Sequence, residues 1–345
     1  MIRIRSDQFP SILLILLTIL AFAIFWSIMD MVLLGASLAI VLLPLHHRLS
    51  RHMRPWISAS VMTFVVLGVF LAMGLITLAI FSANSNELIS MFTTIGNWIN
   101  DPLTNPMAYG VPLSKTSLSG LLHEGTALFV DYQKTLIAYL PVILFKMFVF
   151  FFTLFMLFLR GEGLRTKIIS HVPAALKKYI YRLSDVTGDT LYAIYIVQIA
   201  VAVLTFFIAI PVFWLLGYGN IIFYSYFAAF CELIPIIGSS TAFILIGAYA
   251  QALGDTRGVL ILFFLGYLIV SLVPEIYIRP VLIGRRVKIN PVIMFIGIVG
   301  GILSMGLAGF VLGPLIIVLV ITCYRMYTEE RKEREASLTG DNGQS

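Results

Sequence analysis

Charge is what this sequence of 345 residues has least of. Asp, Glu, Lys and Arg make up 12% of it, against 60% hydrophobic residues. A soluble domain needs roughly 25% charged residues to cover its surface, so much of this chain's surface must face something other than water. Its mean hydropathy of +0.99 points to lipid. Cysteine is nearly absent too. Cys231 and Cys323 both lie inside apolar runs, which excludes a disulfide framework and leaves them as small apolar residues. Enzyme signatures are missing as well: His123-Glu124 lacks the second histidine of H-E-x-x-H, and neither G-x-S-x-G nor G-x-x-x-x-G-K-[ST] occurs. Without a P-loop, the chain holds no ATP-driven pump of its own. Cys and His never cluster at metal spacing, and His46, His47 and His52 read as a solvated face of a basic loop. We expect no enzyme, no metal and no cofactor.

The net charge of +6 does not imply nucleic acid. The basic residues sit in short loops between apolar runs, where a membrane protein places its cytoplasmic Lys and Arg. The apolar runs fall at 12–29, 31–45, 56–82, 140–159, 191–216, 221–250, 258–274 and 291–324. Arg3 and Arg5 ahead of the first run resemble a signal peptide, but the run continues to Met29, so we read an uncleaved span. Only Asp30 separates the first two runs, which suggests a tight helical hairpin; Asp30 and Lys146 read as boundary residues near span ends.

Loop charges orient the chain. Segment 46–55 carries Arg48, Arg51 and Arg54 without an acid, and 160–190 is also basic, whereas 83–139 has more acids than lysines. The N-terminus and both basic segments are therefore expected in the cytoplasm, with 83–139 outside. That insert predicts two amphipathic helices, Asn84–Asn100 and Ser117–Tyr139, around a loop rich in Pro and Gly.

The second half resists simple spans. Four further crossings would put Arg285, Arg286 and Lys288 outside. As single helices the runs 221–250 and 291–324 would measure roughly 45 and 51 Å, against a hydrocarbon core of about 30 Å. Both contain breakers, Pro235 and Gly238 in the first and a glycine series ending in Gly313-Pro314 in the second. Re-entrant or broken hairpins at these two places resolve both conflicts and leave the C-terminus inside. Long tilted, kinked helices are the other possibility. The expected fold is thus an all-α polytopic integral membrane protein with eight hydrophobic segments, six crossings plus two re-entrant or broken helical hairpins. Its expected parts are three N-terminal spans (1–82), an extracytoplasmic helical insert (83–139), a span with a basic cytoplasmic segment (140–190), a core with broken helices (191–324) and a cytoplasmic tail (325–345).

Irregular backbone at membrane depth survives only where protein or a water-filled cavity covers it, and paired broken helices are how transporters build midplane sites. The candidate site therefore lies at the two breaker segments. Glu232, an ionisable residue inside an apolar run, could bind a cation, exchange a proton, hydrogen-bond a solute, or cap the broken backbone. Ser239, Ser240 and Thr241 follow the break and offer hydroxyls as caps or ligand contacts. Gln198, with Tyr192 and Tyr195, suggests a cavity lining or a helix–helix hydrogen bond. Ser304 sits in the second breaker. Glu275 and Arg279, at i and i+4, form either an ion pair or a gate beside Pro280. Gly300, Gly301, Gly306 and Gly309, with Pro314, are candidate hinges and sliding contacts.

Three stretches carry a family resemblance. They are Leu43-Pro44-Leu45 with the basic segment through Arg54-Pro55; Glu232-Leu233-Ile234-Pro235-Ile236-Ile237-Gly238; and Pro280 through Gly284, Arg285 and Arg286 to Asn290-Pro291. The chain resembles the autoinducer-2 exporter family, whose second motif is E-x-I-P-x-x-G and whose third usually ends L-H-P. Here Ile289-Asn290 stands in place of Leu-His. The resemblance implies a multi-pass transporter of the cell membrane that exports a small polar solute, or a sodium–proton antiporter, and a homo-oligomer such as a pentamer. A scaffold or receptor without transport, and a channel, are the remaining readings.

Overall fold

The computed structural model describes residues 13–341 apart from 15, 19, 21–23, 101–114, 234–237, 279, 280 and 282–290. The protein is all-α. Its elements are α1 (Trp26–Ser50), α2 (Pro55–Ala83), α3 (Ser85–Asn100), α4 (Lys115–Ser170) and α5 (Ala174–Tyr192). A π-helical turn, Ala193–Val197, leads into α6 (Gln198–Leu216), followed by α7 (Ile221–Glu232), α8 (Gly238–Ala252) and α9 (Thr256–Ile261). The chain continues from α9 as π-helix over Leu262–Leu272 and Pro274–Ile278. It ends in α10 (Val292–Gly306) and α11 (Ala308–Lys332).

Among the described residues six helical stretches are long and apolar enough to cross a membrane: α1, α2, Tyr139–Ser170, Leu176–Leu216, Thr256–Ile278 and α11. Phe64, Leu75, Leu78, Phe148 and Phe207 on these stretches are exposed, an outward apolar surface that suits lipid. The protein is a multi-pass membrane protein.

Three sequence expectations are corrected. The hairpin turning at Asp30 does not exist, because α1 runs unbroken through that residue. Asp30 tolerates the helix interior because Lys146 Nζ lies 2.6 Å from its Oδ2, so the two boundary residues are partners. The second insert helix is not separate either. It is the start of α4, which continues through Pro141 to Ser170. His46 is not on a solvated face. It is buried in α1, 2.9 Å from Ser58 Oγ and stacked on Phe158.

The chain divides into two compact units. The first comprises Met1–Phe64, Pro141–Leu191 and Ile289–Ser345. Within it α1 and α4 run parallel, in step from Asp30–Lys146 through Gly35, where an added Cβ would sit 2.7 Å from Phe150 O, to His47–Glu162 at 2.9 Å. Only glycine allows that approach of two backbones.

The second unit comprises Val65–Leu140 and Tyr192–Lys288. Its core is built from α3, α6, α7, α8 and α9 around Met91, Phe213, Tyr224, Phe243, Ile246 and Leu262. Phe213 lies flat between Tyr224 and Phe243, each 5.5 Å away. The amphipathic α3 docks through Met91 and Ile95, and Glu87 Oε1 accepts a 2.6 Å bond from Tyr224 Oη. The α8–α9 turn is held by Asp255, whose Oδ1 accepts from Gly258 N at 2.9 Å and whose Oδ2 accepts from Tyr218 Oη at 2.7 Å. The Gly258 amide first, then the Tyr218 hydroxyl, hold the Asp255 carboxyl below its usual pKa. A depressed pKa stabilises above the unfolded value near 3.9. Asp255→Ala is therefore expected to cost about 1 kcal/mol at neutral pH. The difference from wild type should shrink as pH falls below about 4, as measured by thermal unfolding in detergent.

Candidate functional site

The run 221–250 is broken, as its composition predicts. α7 and α8 have 12 and 15 residues, hence about 18 and 22 Å, each too short to cross a core of about 30 Å. They pack against one another. Pro235 lies in the connection, outside the described residues. Gly238 opens α8 at φ +54°, a left-handed backbone that only glycine adopts without strain.

Glu232 joins the two half-helices. It is 3% exposed. Its Oε2 accepts the Ser239 backbone N–H at 2.8 Å, so the carboxylate caps the N-terminus of α8, where the helix dipole favours negative charge. Its own carbonyl, at the end of α7, accepts a hydrogen bond from Gln198 Nε2. One residue therefore satisfies an orphan amide of one half-helix while its orphan carbonyl is satisfied from α6. Ser239 Oγ donates to Ser271 Oγ at 3.1 Å, tying α8 to the π-helical stretch. Ser240 is half-buried beside it. Of the sequence candidates, Glu232, Gln198, Gly238 and Ser239 thus converge. For Gln198 the helix–helix bond is realised. Tyr192 does not continue a buried stripe with it, because the π turn Ala193–Val197 shifts the register and Tyr192 is exposed. Ser271, buried inside an apolar run, went unnoticed in the sequence; a lone serine there carries no periodic signal.

The run 291–324 folds back on itself. Gly306 has φ +57° and ψ −132°, which ends α10 and reverses the chain. A Cβ on Gly309 would collide with the Gly301 carbonyl, one on Gly301 with the Gly309 carbonyl, and one on Gly313 with the Gly297 carbonyl. Gly297/Gly301 and Gly309/Gly313 are each i, i+4 pairs, and both contacts are centred on Met305. The hairpin is therefore a zipper of four glycines whose backbones touch. Gly300 has open space around it and takes no part, whereas Gly297 does, a member legible in the spacing but not singled out. Ser304 Oγ bonds the Gly301 carbonyl at 3.0 Å within its own helix. The arms are unequal. α10 is too short to cross, but α11, with 25 residues, is about 37 Å long and can cross by length. The expected broken hairpin is thus a short arm returning into a long one, with the reversal at Gly306, one of the candidate hinges, while Pro314 lies inside α11.

Glu275 is exposed in the π-helical segment Pro274–Ile278. Its expected partner Arg279, with Pro280, Gly284 and Arg285, lies outside the described residues. Among the described residues no three His, Cys, Asp or Glu side chains converge on a metal-sized site.

Residues 12–329 match the model of the AI-2E family transporters. A protein of Methanothermobacter thermautotrophicus is 27% identical over 309 residues, 89% of each chain. One of Methanocaldococcus jannaschii is 23% identical, covering 87% of this chain and 90% of its own. Both are classed by name as transport proteins.

Proposed function

The chain belongs to the AI-2E transporter family, and from that premise we propose that it moves a small polar solute outward across the cell membrane, driven by an ion gradient through alternating access, with Glu232 as the coupling residue. The observation that carries this reading is a buried carboxylate at the break between two half-helices, hydrogen-bonded to the Ser239 amide at the start of the second. An ionisable residue inside an apolar run is costly and marks a site of binding or exchange, beside its capping of α8. Protonation removes the charge that strengthens the bond to Ser239 N, and a cation or solute donor can compete for the same oxygens. Each event loosens the joint between α7 and α8, which gives the gradient a lever on the backbone. The same carboxylate supports a second reading, cation–proton antiport.

Proteoliposomes carrying a pH-sensitive dye separate the two. Under a proton or sodium gradient, efflux of enclosed autoinducer-2 by wild type, reduced at least about tenfold in Glu232→Gln, supports solute export coupled at Glu232. Dissipation of ΔpH on adding sodium, with no solute present and lost in the same variant, supports antiport. Glutamine keeps an oxygen for the Ser239 amide, so Glu232→Gln should fold. Undiminished flux in that variant would show that the carboxylate plays no part in coupling.

A further inference from the structure

Among the described residues, two buried hydroxyls of the second unit have no hydrogen-bond partner: Thr205 Oγ1 on α6 and Ser225 Oγ on α7. Both residues are 0% exposed. Threonines in other helices bond the carbonyl one turn back, as Thr63 and Thr77 of α2, Thr153 of α4, and Thr187 and Thr190 of α5 do. Thr205 and Ser225 do not, so their hydroxyls turn away from their own backbones. An unpaired buried hydroxyl is costly, and two on adjacent, packed helices are unusual.

Their positions are related. Gln198 of α6 donates to the carbonyl of Glu232 at the end of α7, which sets the register between these antiparallel neighbours. Thr205 lies seven residues beyond Gln198, and Ser225 seven residues before Glu232. Seven residues are about two turns, about 10 Å along each helix and back on the same face. The two hydroxyls therefore stand at one level, two turns along the seam from the Glu232 joint.

We propose that Thr205 and Ser225 form a hydroxyl-lined subsite on the α6–α7 seam that binds one O–H group, able to donate to one hydroxyl and accept from the other. Its source is either an ordered water molecule or a hydroxyl of a polyol solute. A water needs two to four polar partners to be retained in a protein interior, and these two side chains supply the minimum. The subsite goes beyond the coupling role given to Glu232 and is tested without transport, so its failure leaves that role standing.

The test is a density map of the full-length protein at a resolution that shows ordered water, together with thermal unfolding of Thr205→Val, Ser225→Ala and the double variant. The expected result is an oxygen within hydrogen-bond reach of both hydroxyls. Each single substitution then strands the remaining hydroxyl and lowers the apparent Tm. The double variant recovers part of the loss, departing from additivity by more than about 2 °C. Thr205→Ser, which keeps the hydroxyl, retains the wild-type value. Erythritol assigns the source. A rise in Tm that exceeds the rise in the double variant identifies a solute hydroxyl, and equal rises identify water. A dry gap, a direct Thr205–Ser225 bond, or additive shifts of either sign would overturn the subsite.

Discussion

Gly309→Leu is expected to prevent the chain from reaching its native state. The zipper between α10 and α11 brings the two backbones so close that a Cβ added to Gly309 would fall on the Gly301 carbonyl and lie 3.0 Å from the Gly301 Cα. Overpacking a core usually costs about 1–3 kcal/mol, because side chains shift to make room. Here the obstacle is backbone on both sides, so relief requires separating two helices that also touch at Gly297 and Gly313. Even Gly309→Ala should lose about 3 kcal/mol or more, a large share of the typical total of about 5–15. Gly300→Ala is the internal control. It introduces the same methyl group six residues before the turn at Gly306, but into open space. It is expected to be neutral or to stabilise by up to about 1 kcal/mol, since alanine is the better helix former. Fluorescence-detected size exclusion and thermal unfolding of the two alanine variants check this. Equal stability would mean that the zipper is not formed.

Lys146→Met is expected to destabilise the first unit by about 2–3 kcal/mol. Asp30 lies inside the α1 helix with its side chain about one-fifth exposed, and Lys146 Nζ is its ion-pair partner at 2.6 Å. Removing the lysine leaves a carboxylate inside a spanning helix with no countercharge and only the Met31 N–H, 2.8 Å from Oδ1, to stabilise it. A fully buried pair loses about 3–5 kcal/mol in this way; the partial exposure of this one lowers the figure. The double variant Asp30→Asn/Lys146→Met should recover most of the loss, because an amide beside a thioether leaves no charge stranded. Recovery in the double variant, measured by Tm, identifies an isolated pair. A double variant no better than Lys146→Met would show that Asp30 has a separate role.

Legibility in the sequence differed from place to place for identifiable reasons. The break after Glu232 was readable because Pro235 and Gly238 interrupt an apolar run too long for one crossing, and the two together disfavour a continuous helix. The reversal in 291–324 was readable as a region, with Gly306 among several candidate hinges; only the structure shows that Gly306 makes the turn while Pro314 lies within α11. A proline's missing donor is tolerated inside a helix that packs well, whereas a left-handed residue reverses the chain wherever it stands. His46 was misread because a basic loop and the last turn of a helix have the same composition; only the presence of Phe158 and Ser58 beside it decides burial.

By itself, the sequence determined the all-helical membrane fold, the amphipathic insert helix over 84–100, the two broken segments and the choice of Glu232 as a candidate. Each of these follows from hydropathy, helix length or backbone chemistry, which act within a single segment. The tertiary structure decided the pairings: Asp30 with Lys146, Gly301 with Gly309, Glu232 with the Ser239 amide, and the two hydroxyls of Thr205 and Ser225 left without a partner. Those depend on which helix lies beside which and in what register, and that is set by packing summed over the whole unit rather than by any local stretch of chain.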